Sequence, residues 1–127
     1  MEVFGYRKLI AYQKAKEVVK WTYKLLKKFP DEERFAMCNQ LRRASISVIS
    51  NIAEGVNRFS LKDKSRFIEM AYGSLMDTFS ELETAADLGY ITEEEVLNIK
   101  PQIIDIGKML SGLRTSILSS GNNYDKR

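Results

Sequence analysis

Carboxylates are the side chains of this sequence best spaced for acid–base chemistry or metal binding. Asp77 and Glu81 are four residues apart, which places them on one face of a helix, and Glu69 and Glu54 could approach from adjacent turns. Such a group could exchange protons with a substrate or hold Mg²⁺. Exposed acids on a helix are far more often a solvated surface. We therefore predict no catalytic residue and no metal site.

Other catalytic chemistry has few candidate residues. The 127 residues include no histidine, which excludes Ser-His-Asp and Cys-His nucleophiles, His-Glu-x-x-His zinc proteases and Glu-x-x-His di-iron bundles. The single cysteine, Cys38, lies on an apolar stripe and is predicted to be a buried, unreactive thiol. Glycines 73, 107 and 112 are scattered through helical segments, where close helix approach would explain them, and they form no phosphate loop. The sequence thus predicts a protein that is not an enzyme and takes no cofactor.

Basic side chains are concentrated near the start of the chain. Residues 7–28 contain eight Lys or Arg and one acid, whereas residues 77–95 contain seven acids and no base, so the net charge of +3 hides two opposed segments. Like charges four residues apart repel and do not favour a helix. One interpretation is a surface that contacts the phosphates of RNA or DNA, formed by Lys16, Lys20, Lys24, Lys27, Arg42 and Arg43.

Two other interpretations of these basic residues stay open. They could form a solvated face, or they could meet an acidic surface, either on a neighbouring subunit or on a protein partner. Aromatic residues do not alternate with these lysines as a base-stacking platform requires. If nucleic acid binds, we therefore expect contact with phosphates rather than with bases.

Four amphipathic segments dominate the rest of the pattern, with apolar residues at alternating steps of four and three. Turns predicted at residues 29–31, 56–60 and 89–92 separate them and are short enough to make neighbouring helices antiparallel. The sequence therefore predicts an all-α fold, an antiparallel up-down-up-down four-helix bundle. We expect one domain over residues 1–127, with its core at about 6–118 and a flexible polar tail at 119–127.

The predicted helix ends rest on local signals. The second helix should end at Gly55 in a left-handed cap. Capping boxes at Ser60 and Thr92 should open the third and fourth helices, and Gly89 should end the third. Pro101 falls inside the fourth helix and is expected to bend it.

Surplus apolar residues flank the main stripe of the first helix. Four of them widen its apolar arc beyond what a surface helix needs and predict a subunit interface, namely Tyr12, Val19, Tyr23 and Leu26. The third helix carries Phe67, Met70 and Met76 outside its own stripe. Alternatively, lysine stems, the Phe4 arm and the polar tail could cover these residues within one chain.

Membrane association is not predicted. No stretch approaches the roughly 20 apolar residues of a membrane span, and the first residues lack the apolar run of a signal peptide. A lone cysteine fits a reducing compartment. We therefore expect a cytoplasmic protein.

The most distinctive stretch is residues 40–55, which read QLRRASISVISNIAEG. It resembles the signature of the bacterial four-helix bundle proteins encoded by intervening sequences within 23S ribosomal RNA genes, which are often labelled ribosomal proteins. Three other stretches agree with that family in order and spacing: Gln13-Lys14-Ala15, Phe29-Pro30-x-x-Glu33, and Gly73-Ser74-Leu75 leading to Asp87-Leu88-Gly89-Tyr90-Ile91. The resemblance covers residues from about Tyr6 to Leu118. Two departures stand out: many members have proline in place of Ile49, so we expect a straighter second helix here, and glycine in place of Asn57.

The resemblance implies a homopentamer of four-helix bundles. It also implies kinship with the accessory variability protein of diversity-generating retroelements, which is positively charged and assists a reverse transcriptase and its nucleic acid. The partners it implies are therefore other copies of the chain, RNA or DNA, and a protein such as a reverse transcriptase or a ribosomal component. The ribosomal label itself reflects the position of the gene.

The motif residues also have a structural interpretation. Small side chains in residues 44–53 make the second helix thin, so that its neighbours can approach closely. Asn51, Glu54 and Arg58 could then join the end of this helix to the next by hydrogen bonds and an ion pair. We accordingly assign structural rather than catalytic roles to Asn51, Glu54, Gly55, Arg58, Gly73 and Ser74.

Overall fold

Four helices make up most of the computed structural model, which describes residues 3–125 and their side chains as far as Ser120. They are α1, Ile10–Leu26; α2, Met37–Asn57; α3, Leu61–Asp87; and α4, Glu93–Asp125. Short 3-10 helices at Gly5–Lys8 and Asp31–Glu33 precede α1 and α2. No strand occurs between residues 3 and 125. The predicted all-α four-helix fold is confirmed.

Ion pairs between α1 and α4 show that these two helices are antiparallel. Lys14, early in α1, lies 3.6 Å from Asp105 in the middle of α4. Lys28, just after α1, pairs instead with Glu95 in the first turn of α4. The two helices therefore run in opposite directions, with the end of α1 level with the start of α4.

The other helix pairs follow the same order. Near the α2–α3 turn, the ammonium of Lys64 donates to the carbonyl oxygen of Val56, whereas Ser74, further along α3, reaches back to Ser47. Glu69, early in α3, pairs with Arg114, late in α4. Each helix thus packs antiparallel to its neighbour along the chain, and α4 closes the bundle against α1.

Each helix buries one apolar stripe at the spacing that the sequence predicts. Fully buried side chains of Val18, Leu41, Leu75 and Ile106 represent the four helices in the common core. Burying a side chain of this size contributes about 1.5–3 kcal/mol relative to leaving it exposed. These stripes determine which face of each helix is left to solvent, and therefore where a functional surface can lie.

Three predicted helix signals are present as expected. The hydroxyl of Ser60 accepts a hydrogen bond from the backbone N–H of Asp63 at 3.0 Å. Thr92 and Glu95 form a reciprocal capping box at the start of α4. Gly89 follows α3 with φ of 82°, the left-handed conformation that glycine adopts most readily.

Gly55 does not cap α2, which continues through Ile49 and Gly55 to Asn57. A Cβ atom at Gly55 would lie 3.1 Å from the Cβ of Phe67 and 3.2 Å from Cδ1 of Ile68, both in α3. This glycine therefore serves the close approach of two helices rather than a turn.

The fourth helix extends beyond the predicted core boundary at about 118, as far as Asp125. Pro101 lies within this single helix and is exposed. Close helix approach explains Gly107, where a Cβ atom would lie 3.4 Å from the Tyr72 ring, but not Gly73 or Gly112, where it would meet open space.

One end of the bundle is held together by its two turns. The rings of Phe29 and Tyr90 lie 5.4 Å apart, and the Tyr90 hydroxyl donates to a Glu33 carboxylate oxygen at 2.9 Å. This hydrogen bond raises the pKa of the Tyr90 phenol. The ion pair between Lys28 and Glu95 lies at the same end. Together these contacts fix the end of α1 against the start of α4.

Three polar side chains lie within the apolar core. Thr22, Ser45 and Thr78 are each no more than 1% exposed. Thr78 donates to the carbonyl oxygen of Ser74 at 2.8 Å and Ser45 to that of Arg42 at 3.3 Å. The hydroxyl of Thr22 has no hydrogen-bond partner among the described residues. Thr22 therefore buries a polar group without compensation.

Replacing this hydroxyl by a methyl group should stabilise the protein. Thr22→Val keeps the shape of the side chain and removes the unpaired oxygen, so the free energy of unfolding should rise by about 1–3 kcal/mol in urea titrations. Thr78→Val is the matched control: it breaks a hydrogen bond that is made, and should lower stability by about 1 kcal/mol. Equal decreases in stability for both variants would contradict this account of Thr22.

The ion pair between Lys28 and Glu95 should make stability depend on pH. The hydrogen bond from Lys28, followed by that from the Thr92 backbone, holds the pKa of Glu95 below its ordinary value of 4.5. Because the folded-state pKa is lowered, the contribution is present above the unfolded pKa and is lost as the pH falls through the folded one. Glu95→Gln should therefore be less stable than the wild type at pH 7, by less than about 1 kcal/mol for so exposed a pair.

Urea titrations from pH 7 to pH 3 measure this effect. The difference in the free energy of unfolding between the wild type and Glu95→Gln should shrink below pH 4.5. Glu94→Gln, in the same turn and without a described ion pair, is the control and should give no such trend. A difference for Glu95→Gln that is constant over the whole range would show that the ion pair contributes nothing.

Candidate nucleic-acid interface

The four predicted lysines of α1 lie on its outer surface. Lys16, Lys20, Lys24 and Lys27 are all exposed and are spaced at steps of three and four residues. Over these eleven steps the row extends about 17 Å along the helix. The ammonium of Lys20 forms an ion pair with the carboxylate of Glu17, with Nζ 3.2 Å from Oε1. The other three have no ion pair among the described residues, and their ammonium groups can reach an anion.

The row of lysines lies on the side of α1 that faces away from the core. Lys14 and Lys28 contact α4, and Lys16 and Lys27 project from the opposite side of the helix at 100° per residue. The ammonium of Lys16 lies 5.7 Å from the centre of the Tyr12 ring, which orients this side chain along the helix surface. The basic surface therefore covers the outward side of α1, with Lys24 about 40° from Lys28 on the side toward α4.

The two predicted arginines of α2 differ in environment. Arg43 is exposed and has no ion pair among the described residues. Arg42 is half-buried and donates to the carbonyl oxygen of Arg34 at 3.0 Å. Arg42 therefore joins the start of α2 to the preceding turn, and its guanidinium is less free to bind phosphate than the four lysines.

The predicted interface residues of α1 are mostly covered within the chain. Leu26 is only 9% exposed and belongs to the core, so the prediction that it faces another subunit needs correction. It follows Thr22 by four residues and therefore lies on the same buried stripe. Tyr12 packs edge-on against Tyr6 at 5.1 Å, Val19 is half-buried, and Tyr23 is 38% exposed.

The carboxylates considered for catalysis do not assemble into a site. Glu69 pairs with Arg114, and Glu54 pairs with Arg58. Burial, and then the charge of Asp77, raises the pKa of Glu81. Within residues 3–120 no three His, Cys, Asp or Glu side chains are grouped so that they could hold a metal ion.

Cys38 is 5% exposed, as the apolar stripe predicts. Burial raises the pKa of its thiol, outweighing the opposite effect of the neighbouring Arg42. A raised pKa leaves little of the reactive thiolate at neutral pH. Cys38 is therefore a core residue without a nucleophile's environment.

Several motif residues form contacts across the α2–α3 seam. Asn51 donates to the carbonyl and hydroxyl oxygens of Ser47, both at 2.9 Å, and Ser74 donates to the same hydroxyl at 2.8 Å. The guanidinium of Arg58, paired with Glu54, lies 4.5 Å from the centre of the Phe67 ring. These contacts, with the close approach at Gly55, are structural. Nothing in the structure explains Gly73, which is exposed.

A membrane-spanning role finds no support in the described helices, since none is both long and apolar enough to cross a bilayer.

Comparisons with known proteins agree with this geometry. The family model described as "23S rRNA-intervening sequence protein" matches residues 7–112. A similar solved structure is that of a protein with unknown function from the S23 ribosomal protein family of Bacteroides thetaiotaomicron. It is 25% identical, covers 83% of this chain and 98% of its own, and superposes with a TM-score of 0.74. None of the curated proteins compared with this chain matches it significantly.

The match includes α1, α2 and α3 completely and most of α4. It therefore contains the α2–α3 seam, both turns at the Phe29–Tyr90 end and the whole lysine row. This chain belongs to the family of 23S rRNA-intervening sequence proteins.

Proposed function

We propose that this protein is a non-catalytic, oligomeric four-helix bundle that binds RNA or DNA through phosphate contacts. The observation that carries the proposal is the row of exposed lysines on α1, three of which have no ion pair among the described residues. Unpaired ammonium groups in a row attract a polyanion and release its counterions on binding. Lys16, Lys20, Lys24 and Lys27 form the main contact, with Arg43 beside them and Arg42 in a supporting role.

Phosphate contact accounts for the surface better than base recognition does. Tyr12, beside Lys16, packs against Tyr6, and Tyr23 is 38% exposed. These rings do not alternate with the lysines as a stacking platform for successive bases requires, so binding should depend little on sequence. The family name refers to the position of the gene within ribosomal RNA and supports RNA only weakly as the ligand.

A protein scaffold is the second candidate function. Tyr23 and Ile46, which are 38% and 39% exposed, place apolar area beside the basic residues of α1 and α2. Mixed apolar and cationic surfaces are typical of protein interfaces. The partner would then be an acidic protein surface, such as one on a reverse transcriptase or a ribosomal component.

Oligomerisation is part of the proposal. Several large apolar side chains are at least a third exposed, including Tyr72, Met76 and Ile104. Contiguous exposed apolar area of this kind marks an association surface. The resemblance implies a homopentamer. Light scattering should therefore give about five times the mass of one chain.

Nucleic-acid binding can be tested with labelled single-stranded RNA titrated at several salt concentrations. The triple variant Lys16→Gln, Lys24→Gln, Lys27→Gln should bind at least about tenfold more weakly at low salt. Its salt slope should fall by about 0.7 for each phosphate that the variant no longer neutralises. The weakening should be similar for RNAs of different sequence.

The matched control removes three exposed lysines elsewhere, by Lys62→Gln, Lys100→Gln and Lys108→Gln. It changes the net charge equally and should weaken binding by less than about threefold. Equal weakening in both triple variants would contradict a defined α1 surface. Wild-type protein that fails to bind at low salt, while a nuclease-treated extract still yields a protein complex, would favour the scaffold.

A further inference from the structure

Two segments of the chain meet at the end of the bundle where α2 turns into α3. The side-chain amide of Asn57 donates to the backbone carbonyl oxygen of Val3 at 2.9 Å, so the segment before α1 lies against this turn. The last part of α4 reaches the same end, where Ile117 lines a pocket together with Tyr6 and Val56. This end therefore combines residues 3–9, residues 56–66 and the last turns of α4.

Large apolar side chains are exposed at this end. Phe59, in the turn between α2 and α3, is fully exposed, at 101%. Val3 and Phe4, in the adjoining segment, are 63% and 53% exposed. Because the ring of Phe59 stays in water, its burial contributes nothing to the folding of this chain. Exposed apolar area of this kind marks a surface that binds something else.

The apolar area continues into an open pocket of about 300 Å³ beside the turn. Tyr6 lines it from the segment before α1, and Leu113 and Ile117 line it from α4. Lys64 lines it from α3, where its ammonium donates to the carbonyl oxygen of Val56 and forms no ion pair within residues 3–120. A positive charge without a carboxylate partner thus lies against apolar surface.

Charge distinguishes this end from the other one. Residues 3–9 and 56–66 contain six basic side chains and one acid. At the opposite end, residues 83–95 contain five acids and no base, and residues 27–36 contain three of each. Apolar side chains are exposed at both ends, since Phe35 in the turn before α2 is 84% exposed. Only the end at the α2–α3 turn is also positively charged, and we call it the basic end.

Cations without ion pairs border the exposed rings of the basic end. The guanidinium of Arg7 lies 5.0 Å from the centre of the Phe4 ring, and Lys62 follows Phe59 by three residues. Arg7 and Lys62 are both exposed, and neither forms an ion pair among the described residues. Aromatic and apolar side chains beside lysine and arginine are typical of surfaces that bind anionic lipid, because the rings enter the headgroup region and the cations meet its negative charge.

A bilayer accounts for the basic end better than nucleic acid does. The ring of Phe4 packs edge-on against Tyr6 at 6.5 Å and has Arg7 over it, so these rings form no stacking platform for successive bases. Val3 and the apolar pocket offer nothing to a phosphate backbone, whereas hydrocarbon covers them. Docking at the surface of a bilayer does not require a helix that spans it.

We propose that the basic end docks on the surface of an anionic phospholipid bilayer. Phe59 and Phe4 insert among the headgroups, and Arg7 and Lys62 contact the lipid phosphates. The acidic opposite end points away from the membrane, because anionic lipids repel it. The lysine row of α1 lies along the side of the bundle and stays accessible. This docking is separate from the proposed nucleic-acid function and does not depend on it.

Co-sedimentation with lipid vesicles tests the inserted ring. The wild type should bind vesicles of phosphatidylcholine mixed with phosphatidylserine at low salt, and bind phosphatidylcholine alone much more weakly. Phe59→Ser should bind the anionic vesicles about tenfold more weakly, because less apolar area enters the bilayer. Phe35→Ser is the matched control, since it removes an exposed phenylalanine from a turn at the other end, and it should bind as the wild type does.

A charge variant tests the cations. Arg7→Glu, Lys62→Glu should abolish binding to the anionic vesicles, because it places negative charge beside the inserted rings. Lys100→Glu, Lys108→Glu changes the net charge equally at exposed positions of α4 and should weaken binding by less than about threefold. All of the substituted side chains are exposed, so folding should be preserved, and circular dichroism checks this.

Three results would overturn the proposal. They are a wild type that does not bind anionic vesicles at low salt, equal binding to vesicles with and without phosphatidylserine, and equal weakening by Phe59→Ser and Phe35→Ser. Labelled single-stranded RNA adds a further check, since Phe59→Ser should bind it as the wild type does. Loss of RNA binding with unchanged vesicle binding would assign the Phe59 ring to a nucleic-acid base instead.

The lysine variant of α1 separates this proposal from the proposed function. Lys16→Gln, Lys24→Gln, Lys27→Gln lacks the basic row but keeps the basic end, so its binding to anionic vesicles should fall by less than about threefold. If no protein binds RNA but the vesicle results are as described, the nucleic-acid function fails and the membrane docking stands. Vesicle binding that is lost in this variant and kept in Phe59→Ser would place the lipid contact on α1 and refute the docking.

Discussion

The close approach of α2 and α3 at Gly55 is the contact on which the rest of the bundle depends. A larger residue would place its Cβ 3.1 Å from the Cβ of Phe67 and 3.2 Å from Cδ1 of Ile68, closer than usual for such contacts, so the neighbouring atoms would have to move. With the helices this close, Ser74 reaches Ser47, and Arg58 lies over the Phe67 ring. These polar contacts have a fixed geometry, so they set the height of α3 against α2. Glu69 of α3 in turn pairs with Arg114 of α4.

Much of the fold could be predicted because short-range features of the sequence determine it. The period of the apolar residues determines each buried stripe, and the capping boxes at Ser60 and Thr92 act within a single turn. Gly55 shows where such signals fail. Glycine serves equally for a left-handed cap and for a close contact, and only the approach of α3 distinguishes the two. The extent of α4 beyond residue 118 had no such signal, because polar residues that continue an existing helix leave no apolar period.

The candidate surface was predictable in part for a related reason. To predict which lysines are exposed, one needs only the helix and its core stripe. The exposure of Lys16, Lys20, Lys24 and Lys27 could therefore be predicted from the sequence. Leu26 was misplaced because residues three and four apart both continue a stripe, and packing decides how wide the stripe is. The hydrogen bond from Arg42 to Arg34 likewise depends on the shape of a turn.

The lysine row lies on α1, whereas the seven acids of residues 77–95 lie in α3 and at the start of α4, so the molecule has an electric dipole across its width. In the field of a polyanion such a dipole exerts a torque, which turns α1 toward the polyanion before contact is made. Orientation during approach raises the fraction of productive encounters and hence the association rate, most strongly when few ions screen the field. A protein with a net charge of only +3 can therefore approach a polyanion as if it were considerably more basic.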